Sequence, residues 1–319
     1  MGVGVIGAPL HAFGQKAGKM YRMGFLAPDS FDAASDPFLR AMVEGLRKYG
    51  YEERRNIELE FRSADGNYSR LPRLAAELVD RRPDILASVG TPAVLALKNA
   101  TRTIPIVMVA SGDALATGLV ANLASSGNNI TGSTFFGKEL MLKRLQLLKD
   151  ALPEIRRIAV LVNTDNPTTE SNMRAMSQAA KPLGVDLSQL DVRSGGDVPP
   201  AFQVMRKTKV EALAVFEDAV LYGNAKAIAD LALQQRLAAA GFTDFADNGG
   251  LIGYGANSLD LFRRAAYFID KLLKGESPGN IPVERPATFD LVVNLKTARS
   301  LGIKLPQSIL GRADRVIEA

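Results

Sequence analysis

The sequence predicts an α/β protein of two similar parallel-sheet lobes joined at a hinge. Three observations carry that reading. Short apolar runs alternate with amphipathic stretches of helical period. The alternation begins at Tyr21 and begins again, in the same order, at Arg157. The elements after Leu251 are too few to build a third core, so they must return to the first two. At 319 residues the chain is long enough for two lobes without staples.

The first half runs in this order. Residues 22–27 form an apolar run that stops at the turn-like Pro28-Asp29-Ser30. Phe38, Met42, Leu46 and Tyr49 then recur at helical spacing from Pro37, and Gly50 is a natural stop. Residues 57–61 alternate as a strand, and 68–81 is a helix with Leu71, Leu74, Ala75 and Leu78 inward. Strand 85–89 leads through Gly90-Thr91-Pro92 into a helix to Lys98, and strand 104–110 ends at Ser111-Gly112-Asp113.

The second half repeats the order. Strand 157–162 breaks at Asn163-Thr164-Asp165-Asn166-Pro167, and a helix runs to Leu183 with Gly184 as its stop. Strand 185–190, helix 198–207 and strand 212–216 come next; then come Glu217-Asp218, a helix to Leu237, and strand 239–242 ending at Thr243-Asp244. The tail holds strand 251–255, amphipathic helix 259–273 with Arg263, Arg264 and Lys271 outward, and strand 289–295. The expected division is residues 20–131 plus about 251–284 in lobe I, and about 132–250 plus 285–319 in lobe II. Two lobes on a hinge enclose a cleft.

Residues 1–19 are expected to be the remnant of a signal peptide and a linker. Residues 1–10 are apolar and small, and Ala12 and Gly14 match a signal-peptidase site with cleavage before Gln15, although the charged front of such a leader is missing. An ordinary first strand is the alternative. Gly2, Gly4 and Gly7 match the dinucleotide fingerprint letter for letter, but no strand precedes Gly2 and Pro9 breaks the helix that should come after Gly7, so the match carries no cofactor.

Composition excludes whole classes of chemistry. There is no Cys, which removes disulfides, cysteine-ligated metals, thiol nucleophiles and a lipid attachment site. The one His is His11, inside the leader, so Ser-His-Asp catalysis and multi-His metal sites are out. The net charge of +5 is small and unclustered, and no nucleic-acid motif accompanies it. We therefore expect no cofactor, no metal, no nucleic acid and no catalytic residues.

Ligands of parallel α/β sheets sit at the carboxyl ends of the strands. The candidates there are Asp29, Ser30, Thr91, Ser111 and Asp113 in lobe I, and Asn163, Thr164, Asn166, Asp218, Thr243 and Asp244 in lobe II, with Glu217 beside Asp218. Thr91-Pro92 and Asn166-Pro167 each place Pro at the first position of a helix, where free amides suit an anion. The plain alternative is that Thr91 and Asn166 are only N-caps. Phe135 and Phe136, near the first crossover, either stack on a ligand or pack in the core.

Several motifs resemble the TrpX-like group of ABC-transporter substrate-binding proteins. They include Tyr21-Arg22-Met23-Gly24-Phe25-Leu26, Leu46-Arg47-Lys48-Tyr49-Gly50-Tyr51, Asn56-Ile57 and Leu71-Pro72-Arg73-Leu74-Ala75-Ala76-Glu77-Leu78-Val79. They continue with Gly90-Thr91-Pro92-Ala93, Thr103-Ile104-Pro105-Ile106-Val107, Asn129-Ile130-Thr131-Gly132, Gly253-Tyr254-Gly255 and Val293-Asn294-Leu295-Lys296-Thr297-Ala298. The likeness covers nearly all of the chain after about residue 20. It implies the type I periplasmic-binding fold, with three crossovers, and capture of a small solute for a membrane permease and an ATPase on other chains. It also implies that Thr91 and Ser111 hold a ligand carboxylate, and that Asp244, with Asp218 as its rival, takes an ammonium. One departure stands out: the last strand of lobe II usually follows Leu-Pro, whereas here Leu237 runs into Ala238.

The expected protein is thus a monomeric periplasmic binder of a small carboxylate-bearing, amino-acid-like solute. Anion-favouring lobe I and acidic lobe II together suit a zwitterion, and a sugar site would want the Trp that the chain lacks. A cytoplasmic two-lobed sensor is the alternative, and an α/β enzyme is the third.

Overall fold

The computed structural model describes residues 19–30 and 35–318. The expected leader, its cleavage site, the fingerprint glycines and His11 lie outside the described residues. The first sheet is built from β1 (Tyr21–Ala27), β2 (Ile57–Ser63), β3 (Ile85–Val89), β4 (Ile106–Gly112) and β5 (Ile130–Phe135), interleaved with α1 (Pro37–Lys48), α2 (Leu71–Asp80) and α3 (Thr91–Ala100). Its order is β2-β1-β3-β4-β5 and every pair is parallel. This is lobe I.

The chain then crosses into α4 (Gly137–Ala151), β6 (Arg157–Val162), α5 (Thr169–Ala180), β7 (Asp186–Asp191), α6 (Val198–Thr208), β8 (Ala212–Val215), α7 (Ala219–Gly223), α8 (Ala225–Gln234) and β9 (Ala238–Gly241). The tail contributes β10 (Ile252–Gly255), α9 (Ser258–Leu273), β11 (Asp290–Asn294), α10 (Leu295–Leu301), α11 (Gln307–Leu310) and β12 (Arg315–Ile317). The second sheet runs β12-β11-β10-β9-β8-β6-β7, antiparallel only between β10 and β11.

Local chemistry explains the elements. Inner strands such as β4 are buried along their whole length, so they are continuous apolar runs rather than alternating ones. The Asp36 carboxylate accepts from the N–H groups of Phe38 and Leu39, at 2.9 and 2.8 Å, and starts α1 where Pro37 needs no donor. Lobe I has a core on each face of its sheet. Met23, Phe25 and Val107 pack with Met42 and Leu46 of α1 and with Phe262, Ala266 and Ile269 of α9; Leu26, Leu86 and Met108 pack with α2 and α3. Helix α9 is therefore tail sequence that completes the core of the first lobe.

Two expectations need correction. Strand β5 carries lobe I to Phe135, not 131, and β10 belongs to lobe II, between β9 and β11, not to lobe I. The three crossovers lie near residues 136, 257 and 285. At the last one Glu284 still pairs with lobe I, its N–H on Gly132 O and its O on Thr134 N–H, each at 2.9 Å. The expected single helix before Leu237 is two, α7 and α8, broken at Asn224, and the one expected over 68–81 is a 3-10 turn followed by α2. Strand β5 and helix α4 have no counterpart in the sequence reading, although Leu140, Met141, Leu145 and Leu148 of α4 show helical spacing.

Gly132 sits in β5 at φ +128, and a Cβ there would fall 2.1 Å from Met108 O in β4. Gly132→Ala should therefore cost about 3 kcal/mol or more through overpacking against backbone and strain at positive φ. Gly118→Ala, at φ +68 with open space around it, should cost about 1 kcal/mol. Urea unfolding of both variants checks the difference.

Candidate functional site

The carboxyl ends of the two sheets face each other across a cavity of about 360 Å³, within the size range of small-molecule sites. Of the residues selected from sequence, Asp29, Ser30, Thr91, Asn166, Asp218 and Asp244 line it. Ser111, Asn163 and Thr243 lie behind that wall and are buried. Asp113 and Thr164 do not reach it. Asp113 turns its carboxylate to the N–H of Ala116, at 3.1 Å, in the turn leaving β4. Exposed Thr164 is held by Asp191, its hydroxyl 2.7 Å from that carboxylate.

The residues behind the wall aim those in front. Thr91 Oγ1 lies 3.0 Å from Ser111 Oγ and accepts from the N–H of Gly112 at 3.1 Å, which fixes the hydroxyl at the first turn of α3. Gly90, not Thr91, is the cap residue of α3, and α5 starts at Thr169 rather than beside Pro167. The expected Pro-at-first-position geometry is thus displaced by one residue at Pro92 and lost at Pro167. Asn166 instead accepts from the Thr168 N–H and hydroxyl, at 3.1 and 2.9 Å.

Each acid at the cavity has a distinct condition. Asp218 accepts from Asn163 Nδ2 (3.1 Å) and Val220 N–H (3.0 Å) on one oxygen, and from Asn166 Nδ2 (3.0 Å) and Tyr68 OH (2.8 Å) on the other. Burial pushes its carboxyl up against the lowering effect of those donors. Burial and the adjacent carboxylate also push the Tyr68 hydroxyl up, so it stays a donor. Glu217 pairs with the fully buried Arg144 guanidinium of α4, which also donates to Tyr254 O at 2.9 Å and Val215 O at 3.3 Å. The Asp244 side chain accepts from Ser258 Oγ, at 2.7 Å, and burial pushes its carboxyl up. Its second oxygen has no partner among the described residues. Asp29 is pushed up to about 6, chiefly by burial and then by the neighbouring Asp218 and Asp65, with the Ser30 N–H opposing.

The rest of the wall is aromatic. Tyr222 stacks on Phe242, ring centroids 3.5 Å apart, and Phe38 lies 5.5 Å from Phe262; all four rings line the cavity with Phe25 and Phe135. Phe136 turns away beneath the Arg285 guanidinium, 4.1 Å from the ring centre. Sequence reasoning missed Tyr68, Tyr222, Arg144 and Ser258. The strand-end rule that selects Asp29 and Thr91 applies equally to the loop after β2 and would have found Tyr68. No local signal marks Arg144, because what identifies it is a partner 73 positions away.

The chain matches, over residues 25–317, the model of a family described as ABC transporter substrate binding protein. A tyrosine-binding protein of Clostridioides difficile strain R20291 is 25% identical over 276 residues, covering 86% of this chain and 78% of that one. Among solved structures, a conserved domain protein from Vibrio cholerae has a TM-score of 0.86 and 27% identity, covering 93% of this chain and 100% of that one. An ABC domain from Streptococcus pneumonia in complex with L-Trp has a TM-score of 0.85 and 25% identity, covering 94% of this chain and 100% of that one.

Asp29 reports on how closely the lobes meet, since a Cβ on Gly223 of lobe II would fall 1.8 Å from its Oδ2. With the lobes apart, its pKa should return toward the ordinary 3.8, against about 6 in this arrangement. The closed form binds the proton more tightly, so this contribution to closure is full below pH 4 and is lost as pH rises through 6. Two-colour labels across the lobes should show closure weakening from pH 5 to pH 7.5, and Asp29→Asn should flatten that part of the profile.

Proposed function

Because this chain belongs to the ABC transporter substrate-binding protein family, in its TrpX-like group and with the type I periplasmic-binding fold, we propose that it captures an amino acid with a large aromatic side chain and delivers it to a membrane permease driven by an ATPase. It is a solute-binding protein and not an enzyme. The observation that carries the solute assignment is the half-satisfied Asp244 carboxylate facing the cavity in lobe II, while lobe I presents Thr91 at the start of α3.

An ammonium group supplies the hydrogen bonds Asp244 lacks, and a carboxylate suits the hydroxyl and free amides of the first turn of α3. One zwitterion meets both walls. Its side chain then lies among Tyr222, Phe242, Phe38 and Phe262. The tyrosine-binding and L-Trp-bound relatives support the same class. Asp218, with four donors in place, is not the ammonium partner, and Glu217 has its cation in Arg144. The protein works as an exported monomer in the periplasm, a reading that its membership of the substrate-binding family supports.

A thermal-shift screen over the amino acids should single out L-tyrosine, L-tryptophan or L-phenylalanine, and no response to any amino acid overturns the assignment. A ligand at 100 times its Kd should add about 2.7 kcal/mol of stability. For the solute so identified, Asp244→Asn and Thr91→Ala should each raise Kd at least about tenfold, within the 2–5 kcal/mol range for losing one partner of a buried polar or charged contact. Calorimetric titration measures both, and wild-type affinity in both variants would remove these residues from the site.

A further inference from the structure

Asn172 is a polar side chain of the cavity wall that is unpaired among the described residues. It lies on α5, one turn after Thr168, and is 8% exposed. Its backbone N–H bonds to Thr168 O at 3.1 Å. Its side-chain amide has no hydrogen-bond partner among the described residues. No fully buried side-chain nitrogen or oxygen goes unpaired among them either, so the remaining exposure of Asn172 includes its amide, turned to the cavity. An amide without partners on a residue nine-tenths buried is costly in the empty protein, and a bound group that completes its hydrogen bonds recovers that cost.

Its surroundings say which group. A Cβ on Gly112 would lie 3.4 Å from Thr168 Cγ2, 3.6 Å from Thr91 Oγ1 and 3.7 Å from Phe135 Cε2, so the start of α5 faces Thr91 across the cleft. Asn172 is on the same face of α5, one turn on. Its amide is wedged against Gly137, where a Cβ would fall 2.7 Å from Nδ2 and 3.4 Å from Oδ1. That packing limits where the amide can point. Thr91 and Asn172 both line the cavity, and each brings a donor group to it.

We propose that Asn172 is a ligand-contacting residue whose amide N–H donates to the carboxylate of the bound amino acid from lobe II, opposite Thr91 of lobe I. The solute carboxylate then bridges the lobes. This rests on the amino-acid reading above and adds a residue to it.

The test is calorimetric titration of the full chain and of Asn172→Ala and Asn172→Asp with L-tyrosine and L-tryptophan at pH 7.5. Neither substitution breaks a hydrogen bond among the described residues, so both variants should keep the ligand-free Tm to within about 2 °C. The expected order is wild type tightest, Asn172→Ala weaker by about tenfold or more, and Asn172→Asp weaker than Asn172→Ala, because it sets a carboxylate against the solute's own. Wild-type affinity in Asn172→Ala would overturn the contact and leave the solute assignment standing. Binding by Asn172→Asp at or above that of Asn172→Ala would overturn the donor role toward a carboxylate. Failure of the wild type to bind either amino acid would overturn the proposed function, and this assignment with it.

Discussion

A carboxylate that is 4% exposed has to be satisfied by something, and Asp218 is satisfied by four neutral donors. Two come from the loop after β6, one from the first turn of α7, and one, the Tyr68 hydroxyl, from the other lobe. The cost of burying a charge without a cation is what forces these loops into register. Asn163 and Asn166 are drawn together on one side chain, α7 is capped, and the Pro167 corner delays α5 to Thr169. The same carboxylate offers lobe I a strong acceptor, and the Tyr68 bond to it holds only while the cleft is shut. Closure and the internal order of lobe II are thereby coupled.

That arrangement divides the acids of the cavity by role. Glu217 is neutralised by Arg144, and Asp218 is filled; Asp29 is squeezed between Gly223 and the Asp218 field. Asp244 of lobe II and Asp29 of lobe I carry neither a cation nor a full set of donors among the described residues. Formal charge therefore says little about which acid meets a ligand. Hydrogen-bond saturation decides it, since a saturated carboxylate must give up existing partners to accept a new one.

The tail makes the two lobes one machine. Helix α9 completes the core of lobe I while β10, β11 and β12 extend the sheet of lobe II, so neither lobe is a contiguous stretch of sequence. The crossovers are tied to each other as well as to the lobes. Glu284 takes two hydrogen bonds from Arg264 of α9, at 2.8 and 2.6 Å, and the next residue, Arg285, lies over Phe136 and bonds Glu139 of α4 at 3.0 Å. Rotation between lobes is thus confined to a few adjacent residues, as in hinge motions generally.

Much of this was legible in the sequence, because periodicity and strand ends are local. The run from Tyr21, the helix from Pro37, the restart at Arg157 and the polar residues after each strand follow from side-chain spacing along a few residues. So did the acidic character of lobe II. Tertiary structure alone decided that β10 joins lobe II, that Asp113 and Thr164 turn away, and that Thr91 bonds to Ser111 and Gly112 instead of capping its helix. It also decided that Asp218 is filled and Asp244 is open. The physical reason is the same in each case. Tyr68 meets Asp218 across 150 positions, and Arg144 meets Glu217 across 73. The availability of a side chain is set by partners that no window of local sequence contains.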